Sequence, residues 1–226
     1  MSVGRKNFRH MFVPEIELND QIIDDKRYYF LPDGRKFKSV TTIIGEKSDK
    51  SSLLEWRKRV GEQEANRITA VATRRGTAIH SLCEAYILNE PNYTDKKSVI
   101  DIDTFNGLKG LLDKHVDDVF GVELPLYSTM LRAAGRSDLI AKFDGTLSII
   151  DFKTSTRLKK EQYIENYFIQ STVYSIMFEE IYGIKVPQLA IMMAVDNEEP
   201  QLFVKKTKDY YSRVIDFFCD EKNQIF

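Results

Sequence analysis

Cysteine, histidine and tryptophan are scarce in this sequence, and neither sign of charge is in excess. The two cysteines, Cys83 and Cys219, lie far apart and form no Cys-x-x-Cys pair. An all-cysteine iron–sulfur cluster or zinc site needs a quartet of thiolates, so both are excluded. Two reduced, structural thiols are expected, which suits a reducing compartment. The three histidines, His10, His80 and His115, follow no His-Glu-x-x-His pattern, so no structural metal is expected. No apolar run approaches the roughly 18 residues of a membrane span. Residues 1–20 are polar and mixed, without the apolar segment of a signal peptide. A cytoplasmic protein is therefore expected. Lys and Arg number 33 against 34 Asp and Glu, a net charge of −1. That balance excludes a polybasic tail protein but says nothing against a local basic patch. Repeats and low-complexity segments are absent. What the chain does have is apolar material: 42% hydrophobic residues, with 14 Phe and 11 Tyr, enough for a packed core. At 226 residues it reads as a single domain spanning 1–226.

The front of the chain reads as an appendage, residues 1–75, ahead of a core at 76–226. Aromatic and β-branched runs at 27–30 and 36–40 flank Leu31, Pro32, Asp33 and Gly34, the signature of a β-hairpin. Ser52 and Glu55 are spaced as a capping box opening a long helix through Trp56 and Val60. Arg57, Lys58, Arg59, Arg67, Arg74 and Arg75 make that helix basic. Gly76 is expected to break it, with a second helix over 77–88 burying Ile79, Leu82, Cys83 and Tyr86. Helical spacing of Phe105, Leu108, Leu111, Leu112, Val116 and Val119 predicts a third helix over 103–120. The period then changes, and strands are expected over 122–127, 133–143 and 147–152, with Asp144 and Gly145 as the tight turn between the last two. A long helix follows over 159–182, closed by Gly183. Strands at 188–195 and 201–204 and a helix at 209–220 complete the chain. The fold class is α/β, an α-β-β-β-α-β mixed sheet flanked by helices.

The chemistry concentrates between Gly135 and Tyr174. Asp151 and Lys153 stand two apart on an otherwise apolar strand, so both leave one face at the end of a buried element. Asp138 lies across the hairpin on the neighbouring strand, close enough to set a second carboxylate beside Asp151. Two carboxylates and a lysine converging at a sheet end suit Mg²⁺, which takes few protein carboxylates and leaves room for water and phosphate oxygens. Lysine can offset charge that builds on a phosphate, so the set suits phosphodiester hydrolysis. Taken singly, an Asp-x-Lys pair reads as a surface ion pair, and Gln170 with Tyr174 reads as a helix border. Taken in order along one fold, they read as a site. Glu123, on the strand before Asp138, could reach a metal but reads first as structural, and His115 reads as a hydrogen-bonded core histidine.

These residues resemble the PD-(D/E)XK nuclease superfamily, and within it the RecB-like branch. Gly76, Thr77 and His80 resemble that branch's first motif. Gly135, Arg136, Ser137 and Asp138 are similar to its Gly-x-x-Asp motif, and Asp151, Phe152, Lys153 and Thr154 to its Asp-x-Lys-Thr motif. Gln170 and Tyr174 are similar to its Gln-x-x-x-Tyr helix. The hairpin followed by residues 39–43, the basic Trp56, Arg57, Lys58 and Arg59, and His80 with Glu84 one turn on resemble a narrower group. That group comprises the mitochondrial genome maintenance exonuclease and related phage exonucleases. The missing cysteine quartet departs from the branch's iron–sulfur members.

The resemblance implies a restriction-endonuclease-like core and a Mg²⁺- or Mn²⁺-dependent deoxyribonuclease, an exonuclease preferring single-stranded DNA with a free end. It implies His80, Asp138, Asp151 and the Phe152 carbonyl as metal ligands, with Glu84 further out. Lys153 would orient water and stabilise charge, Gln170 would hold Lys153 or the phosphate, and Tyr174 would touch the DNA backbone. Arg57, Arg59, Arg74 and Arg75 are expected to bind DNA phosphates, with Arg157, Lys159 and Lys160 on the far side of the cleft. Tyr28, Tyr29, Phe37 and Trp56 are candidates for stacking on unpaired bases. Host cytoplasm and phage replication or recombination proteins would be the setting. The alternatives are a double-strand exonuclease or processing nuclease for recombination, or a non-catalytic DNA-binding subunit.

Overall fold

A computed structural model describes residues 5–219. The front hairpin forms as expected, with strands β2 (Lys26–Phe30) and β3 (Lys36–Ser39) antiparallel around the turn in which Gly34 N–H donates to the Leu31 carbonyl at 2.9 Å. A further strand, β1 (Asn19–Ile23), pairs with β2 through a turn whose two residues, Asp24 and Asp25, both take positive φ. Two left-handed residues match the twist of a two-residue hairpin. Tyr29 and Phe37 are not free to stack on bases, because they are buried with Leu18, Leu31 and Ala134 and pin the hairpin to the sheet.

Ser39 caps helix α1 (Val40–Lys47), its hydroxyl accepting from Thr42 N–H at 3.0 Å. Helix α2 (Ser51–Val60) opens without the expected capping box: the Asp49 carboxylate accepts from Ser51 N–H at 2.8 Å. The expected break at Gly76 falls instead at Gly61, whose φ of 86° a side chain would oppose. Helix α3 (Glu62–Ile87) then runs unbroken through Gly76 and across the 75/76 boundary read from the sequence.

Helix α4 (Val99–His115) is capped by Ser98 and ends five residues before the expected end at 120. Val116 and Val119 belong to strand β4 (Val116–Ser128), not to the helix. The pairing of β4 with β5 (Ala133–Phe143) shifts register between Val116, Val119 and Gly121. Such bulges place residues three apart on one core face, which imitates helical spacing in the sequence. Asp144 (φ 48°) and Gly145 (φ 78°) make the expected tight turn from β5 into β6 (Thr146–Ser155). Helix α5 (Glu165–Tyr182) ends at left-handed Gly183, as expected. Strands β7 (Gln188–Val195) and β8 (Gln201–Lys206) and helix α6 (Tyr211–Phe218) follow; the expected end of the last helix at 220 lies outside the described residues.

The sheet order is β1-β2-β3-β5-β6-β7-β8, with β4 on the other edge of β5. Strands β6 and β7 are parallel and covered on both faces; β7 is apolar from Leu189 to Val195, whereas β6 is apolar at its centre, Ile149 and Ile150, and turns polar where it carries Asp151 and Lys153. One face meets α1, α5 and α6 through residues such as Ile44, Ile149, Phe168 and Phe218. The other meets α3 and α4 through Ile79, Leu82, Phe105 and Ile150. Helix α2 buries no residue. It joins α1, whose C-cap Ser48 accepts from Asn166 Nδ2 at the start of α5, to α3 on the opposite face. No helix among the described residues is long and apolar enough to cross a membrane.

Candidate active site

Strands β5 and β6 pair from Phe143 and Thr146 as far as Leu139 and Ile150. Beyond that point their ladder stops, and the next residues on each strand are Asp138 and Asp151. Like charges opposite one another on a sheet repel, so this fork is built against its own stability. Part of the ladder is replaced by a side chain: Asp138 Oδ2 accepts from Phe152 N–H at 2.8 Å. The Phe152 carbonyl in turn lies 2.8 Å from His80 Nε2 on α3. A carbonyl can only accept, so Nε2 carries the ring proton and Nδ1 is left with a lone pair in the neutral ring. That Nδ1 sits 3.5 Å from Asp138 Oδ2.

Glu123 completes the convergence. It sits in β4 between Val122, opposite Leu139, and Leu124, opposite Ser137, which puts it level with Asp138. Its φ is 48°, left-handed for a glutamate, a conformation that costs energy and concentrates at functional sites. Ligand atoms of His80, Glu123 and Asp138 lie within 4.8 Å of one another. Burial, and next the charge of Asp138, push the Glu123 carboxyl up to about 7, while His80 pulls the other way. Three acceptors converge here, and one of them, Glu123, is both left-handed in its backbone and resistant to ionisation; such a group could hold a divalent cation. Glu84, one turn from His80, adds its charge from further out. Of the two readings the sequence leaves for Glu123, the convergence with His80 and Asp138 favours the one in which it reaches a metal. The signal of Glu123 in the sequence is its place on the strand before Asp138, and the register of β4 sets it level with that residue.

Asp151 is buried beside this cluster, its carboxylate held by other partners. Its Oδ1 accepts from Gln170 Nε2 at 3.1 Å, and its Oδ2 meets the Lys153 ammonium. Burial raises the Asp151 carboxyl to about 6, Lys153 draws it down, and Asp138 pushes it up. For Lys153, burial favours the neutral amine, but the charges of Asp151 and Asp138 outweigh it and its pKa is raised. Lys153 is therefore a cation held at the mouth of the fork. Gln170 grips Asp151, not Lys153.

Tyr174 does not reach the surface. It is 4% exposed, and burial raises its hydroxyl well above the ordinary value. A Cβ placed on Gly135 would lie 2.7 Å from the Tyr174 hydroxyl and 2.9 Å from Cε1. The glycine of the Gly-x-x-Asp motif is thus the space the tyrosine ring occupies, three residues before Asp138. Tyr174 is a packing residue beneath the site rather than a DNA contact. Gly135→Ala should displace that ring, lower the melting temperature and slow cleavage. Adding Tyr174→Phe should recover part of both losses, since it removes the closest contact; thermal melts and cleavage rates of the two variants check this.

The four arginines divide. Arg57 bonds Glu62 and Asn66 at the exposed α2–α3 corner. Arg75, with its side chain 13% exposed, binds Asp196 at 2.5 Å and the Ser155 carbonyl at 3.3 Å, tying α3 to the ends of β6 and β7. Arg75 is thus a structural tie in place of the expected DNA contact, while Arg57 is occupied by an exposed ion pair. Arg59 is exposed, and Arg74, with its side chain 66% exposed, is only 3.5 Å from Asp101. These two still present charge outward.

No curated protein matches this sequence. The chain resembles a crystal structure of a "Putative exonuclease" from Eubacterium rectale, with 14% identity and a TM-score of 0.43. That match covers 67% of this chain and 66% of the other, just under two thirds of its length. A family model of the PD-(D/E)XK nuclease superfamily matches residues 50–216, from α2 into α6 and across every residue of the fork. The chain belongs to that superfamily, whose nucleases use divalent metal ions.

Proposed function

We propose that the protein is a Mg²⁺- or Mn²⁺-dependent DNA exonuclease of the RecB-like branch, close to phage exonucleases, that prefers single strands with a free end. The observation that carries the reading is the convergence of His80, Glu123 and Asp138 beside the buried Asp151–Lys153 pair. His80, Asp138, Asp151 and the Phe152 carbonyl, joined by Glu123, are the groups that would hold the cation. When bound, the cation supplies Lewis-acid polarisation of the scissile phosphate and a more acidic water.

The chain's own residues do the rest. The Phe152 N–H fixes the Asp138 carboxylate, and the Phe152 carbonyl fixes the His80 tautomer. Gln170 holds Asp151 by one oxygen. Lys153 keeps its proton and offsets negative charge that grows on the phosphate in the transition state. Exposed Arg59, Arg74, Arg157 and Lys160 would meet phosphates along the strand.

Labelled linear oligonucleotides, single-stranded and blunt duplex, test the reading with Mg²⁺, Mn²⁺ or EDTA. The single strand should be degraded from an end with either cation, the duplex more slowly, and neither in EDTA. Binding without cleavage under every condition would make the chain a non-catalytic subunit. A faster rate on duplex would favour the double-strand alternative.

A further inference from the structure

Lysine ends in a compact charge on a flexible four-carbon stem, so a lysine that must meet one phosphate oxygen needs its ammonium held from more than one side. Asp151 holds the Lys153 ammonium from within the strand. The other support is aromatic: Lys153 Nζ lies 4.9 Å from the centroid of the Tyr167 ring, within the range of a cation–π contact. Tyr167 stands in the first turn of α5, three residues before Gln170, which grips Asp151. One helix therefore fixes both members of the Asp151–Lys153 pair. The Tyr167 ring is partly buried against the core face of α5, so its position is set by packing. Its hydroxyl makes no hydrogen bond among the described residues, which leaves the ring face as the part that contacts the lysine.

We infer that Tyr167 is a positioning residue of the nuclease site, holding the Lys153 ammonium toward the phosphate when Asp151 turns part of its charge to a bound cation. A carboxylate shared with a divalent ion attracts lysine less strongly, whereas the quadrupole of an aromatic face is unaffected by that sharing. The ring is the support that persists through the reaction. This inference rests on the proposed nuclease function and adds a residue outside the Gln-x-x-x-Tyr pattern.

Single-turnover cleavage of a labelled linear single strand in Mg²⁺ tests it, using Tyr167→Phe, Tyr167→Leu and Tyr167→Met, each with Lys153 and with Lys153→Ala. Phe keeps the ring and should retain at least about half the maximal rate. Leu and Met should lose roughly tenfold in maximal rate, the scale of a partly desolvated cation–π contact, with half-saturation moved less than about twofold. In the Lys153→Ala background the same changes should cost nothing further, since coupled residues are not additive. Met approximates the lost side-chain length, and thermal melts of all variants establish folding independently of rate. An equal loss in both backgrounds would overturn the inference, as would a Phe variant as slow as Leu. A shift in half-saturation alone would do so too, placing the ring on DNA. A wild-type protein that fails to cleave would overturn the nuclease reading itself, whereas a Lys153→Ala variant as fast as wild type would overturn the role given to Lys153 and this inference with it.

Discussion

Asp138→Asn and Glu123→Gln are each expected to slow cleavage by at least ~10³-fold, about 4 kcal/mol of transition-state stabilisation. Both substitutions keep side-chain volume and remove a negative ligand from the three-acceptor cluster. Stability should move the other way for Glu123. Its carboxyl is held at about 7 in the folded protein against an ordinary value of 4.5, so ionising it costs the folded state more than the unfolded one. Below about pH 4.5 the group is protonated in both states and the cost is absent; as pH rises through 7 the cost is felt in full. Glutamine removes it. Without cation, Glu123→Gln should therefore melt above wild type near about pH 8 and close to it near about pH 4.5, while being all but inactive. Paired melts and cleavage rates at the two pH values check both halves. A Glu123→Gln variant cleaving at the wild-type rate would return the cation to His80, Asp138, Asp151 and Phe152 alone.

What the sequence exposed and what it hid follow from the range of each interaction. The β5–β6 turn was legible because Asp144 and Gly145 carry it locally, and the end of α5 because Gly183 does. Asp138, Asp151, Lys153 and Gln170 were legible as a linear order, and the fork gathers them. Glu123 is legible only as a residue within reach, because its place level with Asp138 depends on a register set by bulges near Val119 and on a left-handed backbone that nothing local demands. The same bulges disguised the start of β4 as helix. In the sequence Tyr174 reads as outward through the motif it resembles, and Arg75 through the basic run it ends. Their inward roles come from partners distant in sequence, Gly135 for one and Ser155 with Asp196 for the other. Gly76 read as a breaker, yet it lies in α3 where the helix passes Thr154 Oγ1, 4.0 Å from where a Cβ would stand.

Covalently closed single-stranded DNA is expected to resist the enzyme almost completely, while the linear form of the same sequence is degraded. The path of the chain motivates this. The α1 helix packs on the α5 face, where Ser48 meets Asn166, and α3 packs with α4 on the opposite face. The chain between them, α2 and the first turns of α3, must pass from one face to the other, and Arg75 fastens that passage to the end of β6 two residues beyond Lys153. α2 buries none of its residues, and Leu53, Leu54, Ile68 and Val71 stay exposed along this bridge. A bridge beside the fork that is anchored on both faces would close the cleft into an opening, and a strand would enter it by its end. The exposed aliphatic stripe with Arg59 and Arg74 would then suit unpaired bases and phosphates more than a duplex. Incubating linear and circular forms side by side in Mg²⁺ decides it, with a nicked sample of the circle as the control that restores an end. Equal rates on the intact circle would mean that the fork lies open and that the α2–α3 bridge guards nothing.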